Sequence, residues 1–462
     1  MMSGKTGKRR FGTIMFLAVV AAAFIGARGY PARAAPPQTD AEKIASLMAR
    51  LAALQEQTAA LQKKQAAPRV PAPAPQAART GGGVSAAPTL PPVEIAGWVP
   101  YWRTATGTAD AIAHMDALKE ISPFGYAVKN DGTLVDQMHL DAEAWQALAA
   151  DARAKKVKII PTIMWSDGGA IHRVLSNAKL RNAHIAAIVT EVNARGWDGI
   201  DIDYEGKKAD TKQYFSIFLR DLYKAIGKKF VSCTIEARTP LADRFVTIPK
   251  DVRFANDYAA INKYCDRVRI MAYDQGSIDL KLNKAAAGYY APVADPQWVE
   301  KVVRVAMQAI AKKKIFIGVA TYGYEYEVSP YGRGFAYDRL WSFNPRYATE
   351  LAARLGVTPV RNTAGELSFA YMPPPAAPPE TPSDDIASSS AVTPEDVDGA
   401  AAMTSPIAAA SASPASPERL VWWSDASAIG DKVRLARKLG IRGIAVFKID
   451  GGEDPGMWDA LK

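Results

Sequence analysis

Three acidic side chains at alternate positions could carry out acid–base chemistry. Asp201, Asp203 and Glu205 alternate with Ile202 and Tyr204, which is the period of a β-strand. In that arrangement neighbouring carboxylates lie about 6 to 7 Å apart on one face. Like charges this close raise one another's pKa, and on a partly dry face at least one acid stays protonated near neutral pH. The spacing therefore indicates a site that gives a proton to a leaving group.

The same alternation has two other interpretations. Acids that alternate with apolar residues are also typical of an edge strand with a charged solvent face. They also resemble an Asp-x-Asp metal site of the kind a metal-dependent glycosyltransferase uses. The glycosyltransferase alternative predicts a nucleotide-binding fold. The histidines show no metal-ligand spacing, so we expect neither a metal site nor a cofactor; they are His114, His139, His172 and His184.

A longer pattern includes these acids and resembles a known family. Together with Asp198 they fill the Asp-x-x-Asp-x-Asp-x-Glu signature of glycoside hydrolase family 18, the chitinase-like enzymes. About 70 residues further on, residues 271–275 read Met-Ala-Tyr-Asp-Gln and end the apolar run Val268–Ile270, which resembles the Met-x-Tyr-Asp strand end of that family. We interpret Asp198 as a structural residue.

The resemblance implies a role for each acid. Glu205 would protonate the glycosidic oxygen and then activate water, while the 2-acetamido oxygen of the substrate attacks the anomeric carbon. Asp203 would bind the acetamido N–H and stabilise the oxazolinium intermediate, and Asp201 would share a proton or hydrogen bond with it. Tyr273 would donate its hydroxyl to the acetamido oxygen. Asp274 would contact the sugar.

Sugar rings pack on aromatic side chains, so aromatic residues at strand ends are candidate binders. The candidates are Trp102, Tyr126, Trp165, Tyr322 and Phe447. Phe447 departs from the family, which usually has Trp at the end of strand eight, and we expect reduced affinity at the cleavage site. Met271, the first residue of the Met-x-Tyr-Asp motif, and Gln275, the residue after it, are further candidates for substrate binding.

The third-strand segment Pro161–Ser166 and the segment Ala320–Tyr324 resemble the bacterial branch that contains spore cortex lytic enzymes. The resemblance implies an exported glycosidase that hydrolyses β-1,4 bonds next to N-acetylglucosamine, in chitin-type oligosaccharides or peptidoglycan, with retention of configuration. The alternative is a non-catalytic, lectin-like carbohydrate-binding protein on the same fold. Such relatives arise by loss of the proton donor, and Glu205 is present.

An alternation of apolar runs and helical segments predicts an α/β protein, a (β/α)8 TIM barrel. The runs lie near 95–102, 122–128, 157–164, 199–204, 231–237, 267–273, 315–321 and 441–449. We expect a small α+β insertion between strands seven and eight, at about 325–425. Within it we expect a helix at Tyr347–Leu355, a hairpin of Leu367–Met372 with Leu420–Trp423, and a disordered loop at 373–418 that is rich in Pro, Ala and Ser.

The beginning of the sequence predicts export. Residues 1–34 read as a signal peptide, with an uncleaved membrane anchor as the alternative. They carry six basic groups and no acidic ones, so without them the net charge falls from +10 to +4, and we expect no nucleic-acid partner. Residues 35–65 read as a short heptad helix, in which we expect 44–61 to self-associate weakly. Residues 66–92 read as a disordered linker, and 93–462 as the catalytic domain.

The chain contains two cysteines, Cys233 and Cys265. Two cysteines are too few for a disulfide framework but enough for one bridge in an oxidising compartment. The sequence leaves open whether they form a bridge or are two buried thiols.

Overall fold

The structure, a computed structural model, describes residues 92–332, 334–373 and 417–462. The expected signal peptide at 1–34 and heptad helix at 35–65 lie outside these residues. So do nearly all of the linker at 66–92 and of the loop at 373–418. In the part of the chain that the structure describes, no helix combines the length and the apolar character needed to cross a bilayer.

The strands follow one another along the chain with these bounds: β1 Glu94–Pro100, β2 Glu120–Val128, β3 Leu134–Asp136, β4 Lys158–Ile159, β5 Thr162–Trp165, β6 Gly199–Tyr204, β7 Phe230–Glu236, β8 Arg267–Met271, β9 Ile315–Ala320, β10 Gly323–Tyr331, β11 Gly334–Phe343, β12 Val360–Arg361, β13 Leu367–Tyr371, β14 Glu418–Trp423 and β15 Gly443–Phe447.

The helices have these bounds: α1 Thr104–Ala113, α2 Glu143–Ala154, α3 Gly168–Ser176, α4 Ala178–Ala194, α5 Lys212–Ile226, α6 Leu241–Arg244, α7 Tyr258–Tyr264, α8 Leu280–Ala285, α9 Pro296–Ala306, α10 Pro345–Leu355, α11 Ala426–Leu439 and α12 Met457–Ala460. Many begin at an Asp or Asn whose side chain accepts a hydrogen bond from a free N–H of the first turn. These caps are Asp167, Asn177, Asp257, Asp279, Asp295 and Asp425.

Parallel pairing closes a barrel. Its strands run in the order β1, β2, β5, β6, β7, β8, β9 and β15, and β1 pairs with both β2 and β15. The third position is split into β4 and β5, and both pieces pair with β2. Pro161 lies at the split, where its missing N–H cannot extend the ladder. The predicted TIM barrel is confirmed, and all eight apolar runs are barrel strands.

The insertion between β9 and β15 contains a separate antiparallel sheet in the order β11, β10, β14, β13 and β12. The predicted pairing of β13 with β14 is confirmed, and the predicted helix is α10. The long hairpin of β10 and β11 is an addition that the apolar runs did not show. Beneath this sheet Glu325 accepts hydrogen bonds from Trp341, Tyr347 and Tyr371, which join β10, β11, α10 and β13.

A disulfide joins Cys233 in β7 to Cys265, two residues before β8, with a Cα–Cα distance of 6.0 Å. Both side chains are completely buried. The bridge therefore connects neighbouring barrel strands, and it resolves the choice between bridge and thiols that the sequence left open.

Candidate active site

Strand β6 directs its acids into the barrel. Asp201 and Asp203 are buried, and Glu205 follows the last residue of β6, at the carboxyl end of the barrel. Its backbone N–H donates to the Trp165 carbonyl oxygen at 2.8 Å, which fixes the chain at that point. Active sites of such barrels form at this end, so the strand brings a row of carboxyl groups from the barrel interior to its mouth.

Asp201 is the deepest of the three and is surrounded by donors. Its carboxylate accepts from Trp98 Nε1 at 3.2 Å, Thr162 Oγ1 at 2.9 Å and Thr234 Oγ1 at 3.0 Å. Arg269 Nη1 lies 3.4 Å from Asp201 Oδ2. These donors come from β1, β5, β7 and β8, so closure of the barrel is what surrounds the Asp201 carboxylate with hydrogen-bond donors.

Arg269 connects Asp201 to a second buried acid that sequence reasoning missed. Its Nη2 lies 3.2 Å from Glu120 Oε2, and its Nη1 donates to Ser122 Oγ at 2.6 Å. Arg267 reaches the other oxygen of Glu120 at 2.6 Å. The available signal was a pair of arginines at alternate positions within the apolar strand β8, because alternate residues share one face of a strand.

Asp203 lies between Asp201 in the barrel interior and Glu205 at the barrel mouth. Burial raises its pKa well above the usual range, and the neighbouring charges of Glu205 and Asp201 raise it further. Its Oδ1 is buried and has no hydrogen-bond partner among the described residues. This carboxyl group therefore has one oxygen free to bind a ligand group.

Glu205 has the properties of a group that can both donate and accept a proton. Burial is the main cause that raises its pKa to about 7. The charge of Glu236 and, to a smaller extent, that of Asp274 also raise it, while Lys207 lowers it. A glutamate that titrates near neutral pH is half protonated there, which suits general acid–base catalysis.

Tyr273 lies beside the acids, two residues after the end of β8. Its ring stacks on Phe447 with centroids 5.7 Å apart. Burial raises the pKa of its hydroxyl well above the usual range, so the group stays a hydrogen-bond donor. A Cβ at Gly318 would lie 2.9 Å from the Tyr273 ring and 2.6 Å from the Ile270 carbonyl oxygen. Glycine at that position therefore makes room for the tyrosine.

Two tyrosines hold Asp274. Its Oδ1 accepts from Tyr322 Oη at 2.8 Å and from Tyr324 Oη at 2.7 Å. The backbone of Asp274 has a φ of 57°, in the left-handed region that non-glycine residues rarely adopt. This turn carries the carboxyl group from the end of β8 towards the insertion, so Asp274 joins the barrel mouth to β10.

The aromatic candidates divide into two groups. Phe447 and Tyr322 lie together, with centroids 6.2 Å apart, next to Tyr273. Trp102 is half exposed, and its ring meets that of Phe124 edge-on at 5.8 Å. Because Phe124 also meets Phe447 at 5.9 Å, Trp102 continues the aromatic surface away from the acids.

Tyr126 and Trp165 do not belong to this surface, and the expectation that they bind sugar is corrected. Tyr126 donates its hydroxyl to Glu191 of α4 at 2.7 Å. Trp165 packs against His184 and Tyr204. Both rings are buried in the layer between the barrel and its helices. They face this layer because their strands present these positions outwards.

Gln275 is also removed from the binding set. It is buried, its side-chain nitrogen donates to Tyr290 Oη at 2.9 Å, and its oxygen accepts from the Asp295 N–H at 2.8 Å. Both ends of the amide are thus used to fasten the segment that precedes α9. Met271 is half-buried and pairs in register with Glu236 at the mouth.

Asp198 lies before β6, at the opposite end from Glu205. Its Oδ2 accepts from the Ile159 N–H at 2.9 Å. This contact joins β4 to the start of β6, and the geometry is that of a structural residue. In residues 92–332, 334–373 and 417–462, no three His, Cys, Asp or Glu side chains are arranged to hold a metal ion.

Comparisons with known proteins agree with this geometry. Residues 95–452 match the family glycosyl hydrolases family 18. Over 162 residues the chain is 26% identical to the uncharacterized glycosylase YvbX of Bacillus subtilis (strain 168), a match that covers 35% of this chain and 44% of YvbX. The chain thus spans less than half the length of that relative.

Solved structures share the fold. The Bacillus cereus spore cortex-lytic enzyme SleL has a TM-score of 0.58 at 20% identity, over 81% of this chain and 74% of SleL. A chitinase from Chromobacterium violaceum has a TM-score of 0.57 at 18% identity, over 80% of this chain and 98% of the chitinase. The family match covers most of the chain, from β1 to the segment after β15. This protein therefore belongs to glycosyl hydrolases family 18.

Proposed function

We propose that the protein is an exported glycosidase that hydrolyses β-1,4 bonds next to N-acetylglucosamine. The observation that carries the proposal is the arrangement of Glu205, Asp203 and Tyr273 at the barrel mouth. Glu205 titrates near neutral pH, Asp203 is a buried acid with an unpartnered oxygen, and Tyr273 is a donor beside them. These three groups suit hydrolysis of a sugar whose own 2-acetamido oxygen is the nucleophile.

In the proposed first step, Glu205 gives its proton to the glycosidic oxygen as that oxygen leaves the anomeric carbon. The acetamido oxygen of the same sugar forms the new bond to the anomeric carbon, and an oxazolinium results. Tyr273 donates its hydroxyl to the acetamido oxygen and holds it in position. Asp203 faces the acetamido N–H and stabilises the positive charge.

In the second step, the Glu205 carboxylate takes a proton from water, and the water oxygen replaces the acetamido oxygen at the anomeric carbon. Two displacements at one carbon retain its configuration. Asp201 lies beneath Asp203 and acts on it through its charge, and Arg269 and three further donors hold Asp201 in place. We therefore assign Asp201 an electrostatic role in this protein.

The proposed substrate is a polymer of N-acetylglucosamine or peptidoglycan. Phe447, Tyr322 and Trp102 supply apolar ring faces beside the acids, and Asp274 supplies a carboxyl group within their reach. A cello-oligosaccharide has the same linkage but lacks the acetamido group, so it should not be cleaved.

The test is turnover by Glu205→Gln and Asp203→Asn variants on purified chitin and peptidoglycan, with products weighed by mass spectrometry. We expect Glu205→Gln to abolish turnover but to keep sugar binding, and Asp203→Asn to lower kcat far more than affinity. A chelator should leave the wild-type activity unchanged. Near wild-type hydrolysis by Glu205→Gln would overturn the proposal. Binding without turnover by the wild type would instead favour the lectin-like alternative.

A further inference from the structure

A second glutamate stands beside Glu205 at the mouth of the barrel. Asp203 in β6 pairs in register with Thr234 in β7, and Glu205 and Glu236 each lie two residues further along. Neighbouring parallel strands lie about 4.8 Å apart, and residues two apart point to the same face. The register therefore places Glu236 next to Glu205, on the same side.

Both oxygens of Glu236 are already engaged. Lys207 Nζ lies 3.4 Å from Glu236 Oε1, and Asn256 Nδ2 donates to Oε2 at 2.5 Å. A carboxylate held from both sides is poorly placed to attack a substrate carbon or to transfer a proton. The charge of Glu236 nevertheless acts on its neighbours Glu205 and Asp203.

Lys207 is buried although it carries a charge. Only 1% of its side chain is exposed, and its Nζ donates to the Tyr204 carbonyl oxygen and lies 4.9 Å from the centre of the Phe215 ring. Burying an ammonium group is costly unless the group is paired. Lys207 lies two residues after Glu205, the candidate proton donor, and it pairs with Glu236. A positive and a negative charge therefore lie together beside Glu205.

We propose that Glu236 and Lys207 are positioning residues that set the pH range over which Glu205 holds its proton. Glu236 extends that range upwards because its negative charge opposes a second negative charge nearby. Lys207 limits the range because its positive charge favours the carboxylate form. The inference rests on the proposed function of Glu205 as the proton donor.

The electrostatics of the site agree with these directions. The charge of Glu236 is the first cause after burial that raises the pKa of Glu205, and Lys207 is the group that lowers it. Asp274, Asp203 and Tyr273 also interact with Glu205. None of these three contacts Glu236 or Lys207 through a hydrogen bond among the described residues, and the charges of Glu236 and Lys207 act on Asp203 in the same directions as on Glu205.

Two groups on the other side of Glu236 complete its surroundings. Arg238 lies 4.1 Å over the Tyr258 ring and donates to the Asn256 carbonyl oxygen at 2.9 Å. The charge of Glu236 acts on both Arg238 and Tyr258. They remain in place in the variants below, which alter only the pair itself.

The experiment compares Glu236→Gln and Lys207→Met with the wild type. Gln keeps the shape of Glu236, and Met keeps the contact of Lys207 with the Phe215 ring. The control is Glu350→Gln, which removes a half-exposed carboxylate of α10 that pairs with Arg346. The readout is kcat/KM against pH on an N-acetylglucosamine oligosaccharide, because a merely structural change would lower the whole curve without moving its limbs.

We expect the alkaline limb to fall near pH 7 in the wild type, where Glu205 loses its proton. Glu236→Gln should move that limb to lower pH by about half a unit or more, and Lys207→Met should move it to higher pH. Glu350→Gln should leave it in place. Limbs that stay unchanged in both variants, or that move in the same direction, would overturn the inference.

A measurement that does not depend on turnover separates this inference from the proposed function. The Glu205 carboxyl carbon can be titrated by NMR in protein labelled with 13C-glutamate, with Glu205→Gln used for the assignment. If Glu205→Gln still hydrolyses substrate, the proposed function fails, and the titration alone decides the inference. If Glu205→Gln is inactive but Glu205 titrates at the same pH in the wild type, in Glu236→Gln and in Lys207→Met, only the inference fails.

Discussion

Arg269 Nη1 lies 3.4 Å from Asp201 Oδ2 in the interior of the barrel, and neither side chain is exposed to solvent. The same guanidinium lies 3.2 Å from buried Glu120. One arginine therefore compensates two buried carboxylates that are far apart in the chain. The network of Arg269, Asp201 and Glu120 supports the candidate active site, because Asp201 precedes Asp203 by two residues in β6 and lies deeper in the barrel.

Removal of Arg269 should destabilise the whole barrel. Arg269→Met leaves Asp201 and Glu120 buried without their shared cation, and breaking such a network costs about 3 to 5 kcal/mol of unfolding free energy. Chemical denaturation followed by circular dichroism measures the loss. As a control, Arg304→Met removes an exposed arginine that pairs with Glu300, and we expect a change below about 1 kcal/mol. Equal losses in the two variants would contradict the role of Arg269.

The disulfide should contribute measurably to stability. A bridge between residues 32 positions apart restricts the unfolded chain, and the expected contribution is about 3 to 4 kcal/mol. A Cys233→Ala/Cys265→Ala variant should therefore unfold at a lower temperature in a calorimetric scan. Because both sulfurs are buried, we expect a reductant to cleave the bridge only in unfolded chains and to leave it intact in the folded wild type. Identical transitions with and without the cysteines would refute this expectation.

Glu453 should make stability depend on pH. Burial, together with the carboxyl group of Asp110 beside it, raises its pKa to about 9. Asp110 Oδ2 and Glu453 Oε1 are both buried, and no other described residue donates a hydrogen bond to either atom. The folded-state pKa is above the unfolded value of about 4.3, so this stabilisation is complete below about pH 4 and is lost as the pH rises towards 9.

Glu453→Gln replaces that group with one that is always neutral. The variant should match the wild type near pH 4 and exceed it at pH 8, by an amount on the order of 2 kcal/mol. Thermal unfolding at both pH values measures the difference. Glu143→Gln, at an exposed position of α2, should show no such dependence on pH. A Glu453→Gln protein that is less stable than the wild type at pH 8 would show that the carboxylate is favoured there.

The two groups of aromatic candidates predict different kinetics. Phe447→Ala removes the ring that stacks on Tyr273, and we expect KM for an N-acetylglucosamine oligosaccharide to rise about tenfold, which corresponds to about 1.4 kcal/mol. Tyr126→Phe removes a hydroxyl that binds Glu191 behind the barrel wall, so KM and kcat should not change. A similar rise in KM for both variants would mean that Tyr126 acts on the site from the outer layer.

Local patterns predicted the strands and the order of the acids. The run at 199–204 coincides with β6, and the run at 267–273 contains β8. A run of apolar residues depends on neighbours in sequence, so it can be read without knowing the fold. Alternation likewise determines that Asp201, Asp203 and Glu205 share one face of a strand, whichever way that face points.

Tyr126 and Trp165, which the sequence wrongly predicted to bind sugar, show what a local pattern cannot predict. In β2 the register shifts between Phe124 and Tyr126, so Gly125 is an extra residue in the strand. This irregularity places Phe124 inside the barrel and Tyr126 outside it. Trp165 pairs with Tyr204, which faces the helices, and its direction therefore follows from strand pairing. Neither register can be read from a single strand.

The sequence by itself determined the barrel strands, the acidic row and the Met-x-Tyr-Asp strand end, because each depends on residues a few positions apart. Only the tertiary structure decided what surrounds that row. Trp98 reaches Asp201 across 103 positions and Arg269 across 68, and Glu236 stands beside Glu205 through the pairing of two strands. Such contacts arise when parallel strands close into a barrel, and the charges that set the protonation of Glu205 come from several of its strands and loops.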